Sequence, residues 1–483
     1  MPPPRRQNKD HLLSTLPPPF SDNDANGNLR PKIKSRLPTS PLLVILDDDP
    51  TGTQTCHDIQ VLMTWEISTL KASFASSTTS ATGGFFILTN SRALHAPQAR
   101  SLLHEICQNL KIAGRETGEK FEIVLRSDST LRGHFPLEAD VVSEILGEAD
   151  LWILAPFFLQ GGRYTISDVH YVEEEGVLVP AGETQFARDA TFGYQESNLR
   201  DWVVEKSGGR ILRERVVSLG LEDVRVGGPE RVRELVMGFE KGSVVVVNAA
   251  SESDMDVVVL GILDGKWISR KFLYRSGAAL VSAKLGIAPI PPKTAEQLHL
   301  DPKVGGLIIA GSYVPKTTAQ LEVLREKSGS RLTTIELQVD QLLESEMSAD
   351  LIIQQAQEEA AREIERGQDV LVMTSRKLVT GADATESLNI GSAVARALVH
   401  FLSGLTSRPR YVIAKGGITS SDMASKALGM KIATVVGQAA PGVPLWECLE
   451  ESSKWSGIPY VVFPGNVGSN DTVFQVVDGW RGR

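Results

Sequence analysis

Short apolar runs that end in polar clusters dominate the first half of the chain. They are "PLLVILDDDPTGTQ" (41–54), "GGFFILTNSR" (83–92), "FEIVLRSDST" (121–130) and "ADLWILAPFFLQGGR" (149–163). Each apolar run has the length of a buried β-strand, and each polar cluster predicts a loop at its end. Residues 94–115 carry apolar positions at helical spacing, and Gly114 is expected to close that helix.

Strands that alternate with helices predict parallel βαβ units. In such sheets ligands bind beyond the carboxyl ends of the strands. We therefore expect four polar tips to face one crevice. These tips are residues 47–53, 90–92, 126–132 and 160–163.

The second half of the chain repeats the alternation of strand, loop and helix after a Pro-rich stretch, "LGIAPIPPKTAEQLHLDPKVGG" (285–306). Prolines and turn residues at this density predict a linker between two domains. The N-terminal stretch "MPPPRRQNKDHLLSTLPPPF" has proline blocks and no apolar periodicity, which predicts disorder. The predicted organisation is a disordered tail (1–40), an α/β domain (41–285), a linker (286–304) and a second α/β domain (305–483).

Composition narrows the class of protein. The chain has 483 residues and a net charge of −9, which argues against a nucleic-acid-binding protein. Cys56, Cys107 and Cys448 form no CxxC pair, which favours a reducing compartment and a cytoplasmic location. No apolar run reaches the ~18 residues of a membrane span, and the N-terminus lacks the apolar core of a signal peptide.

The stretch "RSDSTLRG" (126–133) concentrates charge and hydroxyl groups beyond the needs of a structural loop. The alternative is a purely structural role, in which the stretch caps the N-terminus of a helix and its arginines are exposed to solvent. Arg92 and Arg163, however, are the last residues of two other polar loops that are predicted at the same edge of the sheet. Converging guanidinium groups suit a carboxylate or a phosphate, because each planar fork pairs with two oxygens.

The run "DDDPTG" (47–52) is compatible with a simple turn, but three adjacent carboxylates repel one another, and a cationic partner would relieve that cost. Two aspartates are candidate proton acceptors for opposite reasons. Repulsion within the acidic run is expected to raise the pKa of Asp49, and neighbouring arginines are expected to lower the pKa of Asp128.

Small-residue loops in the second half suggest an anion site, because backbone amides at a helix N-terminus bind phosphate. Each loop alone is also a common cap or turn. The loops contribute Ser312, Gly416, Gly417, Thr419, Ser420, Gly437, Gly442, Gly465, Asn466 and Gly468. Neither GxxxxGK[ST] nor GxGxxG occurs, which argues against a P-loop enzyme and against a dinucleotide-dependent dehydrogenase.

In their order, these loops resemble the motifs of the four-carbon acid sugar kinase family. The resemblance spans about residues 42–478. It rests on "DDDPTG", "LTNSR", "RSDSTLRG", "APFFLQGGRYT", "AGSYVPKTTAQ", "KGGITSSDMASKALG", "PGVPLWE" and "PGNVGSND".

The resemblance implies two α/β domains with mainly parallel sheets, whose sites meet in a cleft between the domains. The first domain would bind a sugar acid and the second would bind ATP, with Mg²⁺ carried by the nucleotide and no metal site on the protein. Asp128 or Asp49 would take the hydroxyl proton. The acid would be held by Asp48, Arg92, Arg126, Ser129, Thr130, Arg132 and Arg163, and the ATP by the small-residue loops. No nucleic acid or membrane partner is expected, and a homodimer stays open.

The chain departs from the family pattern at two places. Arg126 stands where most members have lysine, and the third aspartate with its "PTGTQTCHD" continuation also differs. Both departures bear on the identity of the acid. A sugar-acid or nucleotide sensor without turnover is the alternative function, although retention of both half-sites favours an enzyme.

Overall fold

The computed structural model describes residues 4–21, 28–80, 82–263, 270–311, 314–375 and 384–481. The chain divides into two compact units, residues 1–289 and residues 290–483, called the N-terminal and the C-terminal unit below. Both units are α/β, which confirms the predicted fold class. Among the described helices, none combines the length and the apolar character that crossing a membrane requires.

The N-terminal unit contains strands β1 to β12 and helices α1 to α10. The strands are β1 Gln7–Asn8, β2 Leu42–Asp47, β3 Ile59–Leu62, β4 Gly84–Leu88, β5 Phe121–Arg126, β6 Leu151–Ala155, β7 Arg163–Ile166, β8 Val169–Glu174, β9 Val177–Pro180, β10 Val216–Leu219, β11 Ser243–Val247 and β12 Phe272–Ser276. The helices are α1 Lys9–Ser14, α2 Arg30–Lys34, α3 Ile67–Thr79, α4 Ala96–Thr117, α5 Leu137–Leu146, α6 Leu199–Lys206, α7 Leu221–Arg225, α8 Gly228–Gly238, α9 Glu252–Leu263 and α10 Ala278–Lys284.

The main sheet of this unit is parallel, in the order β10-β11-β6-β12-β5-β2-β4-β3. All residues of β2, β4 and β11 are buried, because helices cover both faces of a sheet of this kind. This double burial explains why the strands appear in the sequence as continuous apolar runs instead of alternating patterns.

A second, antiparallel sheet in the order β1-β9-β8-β7 follows the fourth polar tip. The sequence did not predict the individual strands of this sheet. The strand β7 begins at Arg163, and Tyr164 and Ile166 of this strand are buried. The second sheet therefore fixes Arg163 on regular structure.

The N-terminal tail differs from its predicted disorder. β1 pairs with β9, and Leu29 and Ile33 are buried. Arg30 is also buried, and its guanidinium pairs with Asp256 and Glu252 of α9. The described parts of the tail, residues 4–21 and 28–40, therefore form long-range contacts with the body, which local composition does not reveal.

Helix α4 continues past its predicted end at Gly114. Gly118 has a φ of +73° and provides the left-handed residue that ends the helix. Gly114 is instead needed for packing, because a Cβ at that position would lie 2.7 Å from Cε1 of Phe121.

The C-terminal unit contains β13 to β19 and α11 to α16. The strands are β13 Leu307–Ala310, β14 Leu332–Leu337, β15 Asp369–Thr374, β16 Val412–Lys415, β17 Ile432–Ala440, β18 Val443–Glu447 and β19 Tyr460–Phe463. The helices are α11 Pro315–Ser328, α12 Val339–Glu344, α13 Glu346–Glu365, α14 Ala384–Gly404, α15 Gly417–Asp422 and α16 Thr472–Gly479. The sheet order is β17-β18-β19-β16-β13-β15-β14, parallel from β19 to β14 and antiparallel at β17 and β18.

Much of the predicted linker belongs to the C-terminal unit. The backbone amide of Lys293 donates to the carbonyl of Gln438 at 2.8 Å, and the indole of Trp480 donates to the carbonyl of Lys293 at 2.9 Å. Leu298 and Leu300 pack against the core of this unit. Residues 290–304 are therefore not a free connector.

Candidate active site

The polar tips that follow β2, β4 and β5 lie side by side, because these strands are neighbours in the parallel sheet. Asp47 pairs in register with Leu88 of β4 and with Arg126 of β5. The backbone amide of Asp48 donates to the carbonyl of Arg126 at 3.1 Å. The structure thus brings together three of the four tips that the sequence predicted to converge.

Arg92 lies at the centre of this acidic cluster. Its guanidinium forms an ion pair with Asp49 and lies 3.8 Å from Oδ1 of Asp48 and 3.7 Å from Oδ1 of Asp128. Burial alone would lower the pKa of Arg92, but the three carboxylates raise it above the ordinary value. Arg92 therefore organises the aspartates, and a substrate carboxylate would have to compete for it.

Asp128 is held by its own loop. Its carboxylate accepts hydrogen bonds from the backbone amide of Thr130 at 3.2 Å, from the Thr130 hydroxyl, and from Nε of Arg132 at 2.6 Å. Burial works against ionisation, but Arg132 and Arg92 outweigh it and hold the pKa of Asp128 well below its ordinary value. Asp128 is thus a fixed anion and a weak base.

Asp49 caps the short 3₁₀ turn Pro50–Thr53. Its Oδ1 accepts from the Thr51 amide at 2.9 Å and from the Thr51 hydroxyl at 2.5 Å. Burial raises the pKa of Asp49, but Arg92 and Thr51 together bring it below the ordinary value. The expectation that acidic neighbours raise the pKa of Asp49 is therefore wrong.

Asp48 has the opposite environment. Its side chain is buried, and neither carboxylate oxygen has a hydrogen-bond partner among the described residues. Burial is the main cause that raises the pKa of Asp48 to about 7. The negative charges of Glu138, Asp49 and Asp128 also raise this pKa, whereas the positive charge of Arg92 lowers it. A carboxylate with a pKa near neutrality and unused acceptor capacity has the properties of a general base.

Asp47 is the most enclosed of the three consecutive acids. Both of its carboxylate oxygens are buried without a hydrogen-bond partner in the described part of the chain, and burial raises its pKa well above the ordinary value. Gly52 covers this carboxyl group, since a Cβ at residue 52 would lie 2.0 Å from Oδ1 of Asp47. A glycine at residue 52 is therefore required by close approach to Asp47.

Arg126 ends β5 and is buried. One of its terminal nitrogens donates to the Ser127 carbonyl, and the other donates to Oε1 of Gln54 at 3.3 Å. Its Nε has no partner among the described residues. Unlike Arg92, Arg126 forms no close ion pair within the described cluster, so it has capacity for an anionic ligand.

Arg132 and Arg163 share one aromatic neighbour. Their guanidinium carbons lie 5.2 and 5.5 Å from the centre of the Phe186 ring. Arg132 also lies 3.7 Å from Oδ2 of Asp189. Burial lowers the pKa of Arg163, and the attraction of Asp128 opposes this shift. The fourth predicted tip is therefore joined to the cluster through Arg163.

The loop that carries Ser129 and Thr130 is supported from behind. The imidazole of His170 lies 2.8 Å from the Ser129 carbonyl, and the Tyr194 hydroxyl donates to the Thr130 carbonyl at 2.7 Å. Burial lowers the pKa of His170 to about 4, so this imidazole is neutral at physiological pH. Because the Thr130 hydroxyl is already bonded to Asp128, it is less available to a ligand than the sequence suggests.

Two glycine loops follow parallel strands in the C-terminal unit. Gly416, with a φ of +107°, joins β16 to α15, which begins at Gly417. Residues 464–471 join β19 to α16, and Gly468 has a φ of +83°. Both loops therefore lie at the carboxyl edge of the parallel strands, where ligands bind in α/β sheets.

Three of the predicted nucleotide contacts need revision. The Ser420 hydroxyl turns inward and donates to the carbonyls of Ala414 and Gly416, both at 2.8 Å. Gly437 lies within β17 at a register shift, and Gly442 lies in the turn between the antiparallel β17 and β18. Neither glycine is at a strand–helix junction, because the spacing of apolar residues did not reveal this hairpin. Ser312 lies outside the described residues.

Two family models match the chain. The model described as a sugar-binding N-terminal domain matches residues 43–284, and the model described as a nucleotide-binding C-terminal domain matches residues 307–473. The chain belongs to the four-carbon acid sugar kinase family. The two sugar-kinase domains coincide with the two structural units, so the arginine–aspartate cluster lies in the sugar-binding domain and the glycine loops lie in the nucleotide-binding domain.

A D-erythronate kinase from Heliobacterium modesticaldum is 26% identical over 256 residues. That alignment covers 52% of this chain and 52% of the kinase, so the chain spans about half the length of this curated relative.

Two solved structures resemble the fold of this sugar-kinase family member. The Haemophilus influenzae protein HI1011 has a TM-score of 0.60 at 19% identity, and covers 91% of this chain and 100% of its own. A protein of Salmonella typhimurium LT2 has a TM-score of 0.64 at 13% identity, with coverages of 89% and 97%. At these identities the likeness shows the fold alone.

Sequence reasoning missed further residues of the two kinase domains. Arg275, at the end of β12, donates to the Arg132 carbonyl at 3.2 Å and lies over the Trp202 ring at 5.0 Å. Lys415 is buried at the end of β16. Lys415 is the last residue of an apolar strand and Arg275 is the last but one, which is the signal that could have identified them. In the part of the chain that the structure describes, no group of three acids, histidines or cysteines is arranged to hold a metal ion.

Proposed function

We propose that this chain is an ATP-dependent kinase that phosphorylates a hydroxyl group of a small, four-carbon sugar acid. The observation that carries this proposal is Asp48, a buried carboxylate with a pKa of about 7 that lies within a cluster of arginines. The family match and the resemblance to a D-erythronate kinase support the same reaction class.

The substrate carboxylate is proposed to bind Arg126 and Arg163. These two guanidinium groups form no close ion pair with an aspartate in the described cluster, whereas Arg92 already lies within ion-pair distance of three carboxylates. A planar guanidinium binds a carboxylate through two parallel hydrogen bonds. Arg92 and Arg132 would then position Asp49 and Asp128, which accept hydrogen bonds from the hydroxyl groups of the acid.

Asp48 is proposed to accept the proton of the reacting hydroxyl, in place of Asp128 or Asp49. The oxygen of that hydroxyl attacks the γ-phosphorus of ATP, the bond from phosphorus to the bridging oxygen of ADP breaks, and the proton passes to Asp48. The low pKa values of Asp49 and Asp128 make both weaker bases than Asp48.

The nucleotide phosphates are proposed to bind at residues 416–420 and 465–468. Both loops follow parallel strands, and a buried lysine, Lys415, supplies a positive charge beside them. This donor chemistry fits a polyphosphate. Mg²⁺ bound to ATP would neutralise phosphate charge. That the two sites meet between the units and that the protein is cytoplasmic stay predictions, and a homodimer stays open.

A panel of four-carbon acids tests the proposal. ATP consumption is measured with threonate, erythronate and oxo-tetronate stereoisomers, and the phosphorylated acid is identified by mass spectrometry. Stoichiometric formation of ADP and an acid phosphate with one member is expected. Binding of an acid and of ATP without turnover would instead favour the sensor alternative.

A further inference from the structure

Lys415 is a buried lysine that links the two glycine loops of the C-terminal unit. It is the last residue of β16 and directly precedes Gly416. Its side chain is fully buried. Its ammonium group donates to the carbonyl of Pro464, the first residue after β19, and lies 4.3 Å from the centre of the Phe463 ring.

The charge of Lys415 is not balanced by a carboxylate among the described residues. Burial, together with the positive charge of Lys316 in the first turn of α11, lowers the pKa of Lys415 to about 7. Asp422 on the following helix is paired with Lys426 at 2.7 Å. Two lysines from neighbouring strand–helix junctions thus lie close together, and no carboxylate of the described residues is paired with either of them.

A buried lysine without a counter-anion is costly, because removing an ammonium group from water disfavours its charged form. The Pro464 carbonyl and the face of the Phe463 ring offset only part of this desolvation cost. An anion bound at the adjacent loops would provide the missing negative charge.

We propose that Lys415 is a positioning residue of the nucleotide site, which fixes the loop after β19 against the end of β16 and provides the buried positive charge opposite the nucleotide phosphates. This role rests on the proposed ATP-dependent function. Lys316 contributes a second positive charge from α11. Since Lys415 is fully buried, it acts through the Pro464 carbonyl and through its electric field, not by direct contact with the nucleotide.

This arrangement couples nucleotide binding to a proton. Without a ligand, a group with a pKa of about 7 is about nine-tenths neutral at pH 8. Negative phosphate groups stabilise the ammonium form and raise the pKa of Lys415, so the protein takes up close to one proton when the nucleotide binds. The nucleotide itself contributes little at pH 8, because the second ionisation of its phosphate lies near pH 6.

The test is isothermal titration calorimetry of Mg-ADP binding to the full-length chain at pH 8, in two buffers that differ in ionisation enthalpy. The wild type should take up close to one proton per ADP. Lys415→Met should abolish that uptake and weaken ADP binding by about tenfold, the scale of one favourable charge. It should leave adenosine binding unchanged. Lys415→Arg should retain much of the ADP affinity without the uptake, because arginine does not deprotonate.

Lys454→Met is the matched control. The Lys454 ammonium also donates to backbone carbonyls, those of Ser403 and Leu405, and also lies over an aromatic ring, that of Trp455. This variant should lower the melting temperature without changing ADP affinity or proton uptake.

Wild-type binding of ADP without proton uptake would overturn the role of Lys415, even if neither Lys415 variant folds. If Lys415→Met lowered the affinities for adenosine and for ADP equally, Lys415 would support the structure of the site without acting on the phosphates. If the wild type binds no ADP at all, the proposed kinase function fails instead.

Discussion

The three consecutive aspartates at the end of β2 have three different environments. Asp47 is enclosed beneath Gly52, Asp48 is buried without a hydrogen-bond partner among the described residues, and Asp49 is bonded to Thr51 and Arg92. Burial raises the pKa values of Asp47 and Asp48. For Asp49, the combined effect of Arg92 and Thr51 exceeds that of burial and lowers the pKa. Neighbouring titratable groups whose pKa values diverge commonly have distinct roles in catalysis.

Asp48→Asn is expected to reduce kcat by about 10²-fold or more, the usual scale for a positioned acid–base group. In the wild type, kcat/KM should rise with pH through about 7, because only the ionised carboxylate accepts a proton. The variant should lack this rise. Asp128→Asn serves as the comparison: since its pKa lies far below this range, the rise should remain in that variant. Normal turnover of Asp48→Asn would eliminate Asp48 as the base.

Asp48→Asn is also expected to stabilise the protein at pH 8. The pKa of Asp48 is raised on folding, so between pH 4 and pH 7 the folded state binds more protons than the unfolded state. Stability therefore falls as pH rises through this range, and the variant escapes that loss. Thermal melting should show Tm higher by roughly 2–6 °C at pH 8, with a clearly smaller increase at pH 5. An equal change at both pH values would contradict this origin.

Arg126→Lys is expected to raise KM for the acid and to spare KM for ATP. The guanidinium of Arg126 contacts both the Ser127 carbonyl and Gln54, and an ammonium group cannot reproduce this geometry together with a bidentate contact to a carboxylate. Arg100→Lys is the control, because Arg100 forms only an exposed ion pair with Glu144. A proportional rise in both KM values would argue against a carboxylate-binding role for Arg126.

At the scale of elements, strand ends position the chemistry. Apolar runs predicted β2, β4, β5 and β6 at nearly their observed bounds, because strands buried on both faces tolerate few polar residues. The hairpin of β17 and β18 and the antiparallel sheet of β7 to β9 were not predicted. Those strands have shorter or alternating apolar patterns, which resemble loops when taken one at a time.

The N-terminal segment is the element for which composition was least informative. A disordered segment could be deleted without loss of stability, but for deletion of residues 1–39 the structure predicts a loss of Tm of about 5 °C or more, because Leu29 and Ile33 are buried and Arg30 pairs with Asp256. Deleting residues 1–5 is the control, since β1 begins at Gln7. Equal melting of both deletion variants would show that the segment contributes no stability.

At the scale of the whole molecule, the two compact units correspond to the two matched domains, one described as sugar-binding and the other as nucleotide-binding. The division at residues 289 and 290 lies within the predicted linker, but residues 290–304 pack on the C-terminal unit. A cut made from composition alone, near residue 300, would remove the Lys293 backbone contacts with Gln438 and Trp480.

A fragment of residues 290–483 is expected to fold and to bind Mg-ADP, because this unit contains both glycine loops and its own core. A fragment of residues 300–483 should melt at a lower temperature, since it lacks Lys293 and Ala295. Circular dichroism and calorimetry would measure both. ADP binding by residues 1–289 and not by a folded 290–483 fragment would reverse the assignment of the two units.

The sequence by itself determined the α/β class, the two-domain organisation, the family and most of the charged residues at the strand ends. These properties follow from local patterns: apolar runs, turn residues and short motifs that stand together along the chain. The tertiary structure alone decided which aspartate has a pKa near neutrality, that Arg92 is already occupied by three carboxylates, and that Lys415 lacks a counter-anion among the described residues. Burial and long-range pairing decide those properties, because a pKa depends on groups that are distant in sequence and only adjacent after folding.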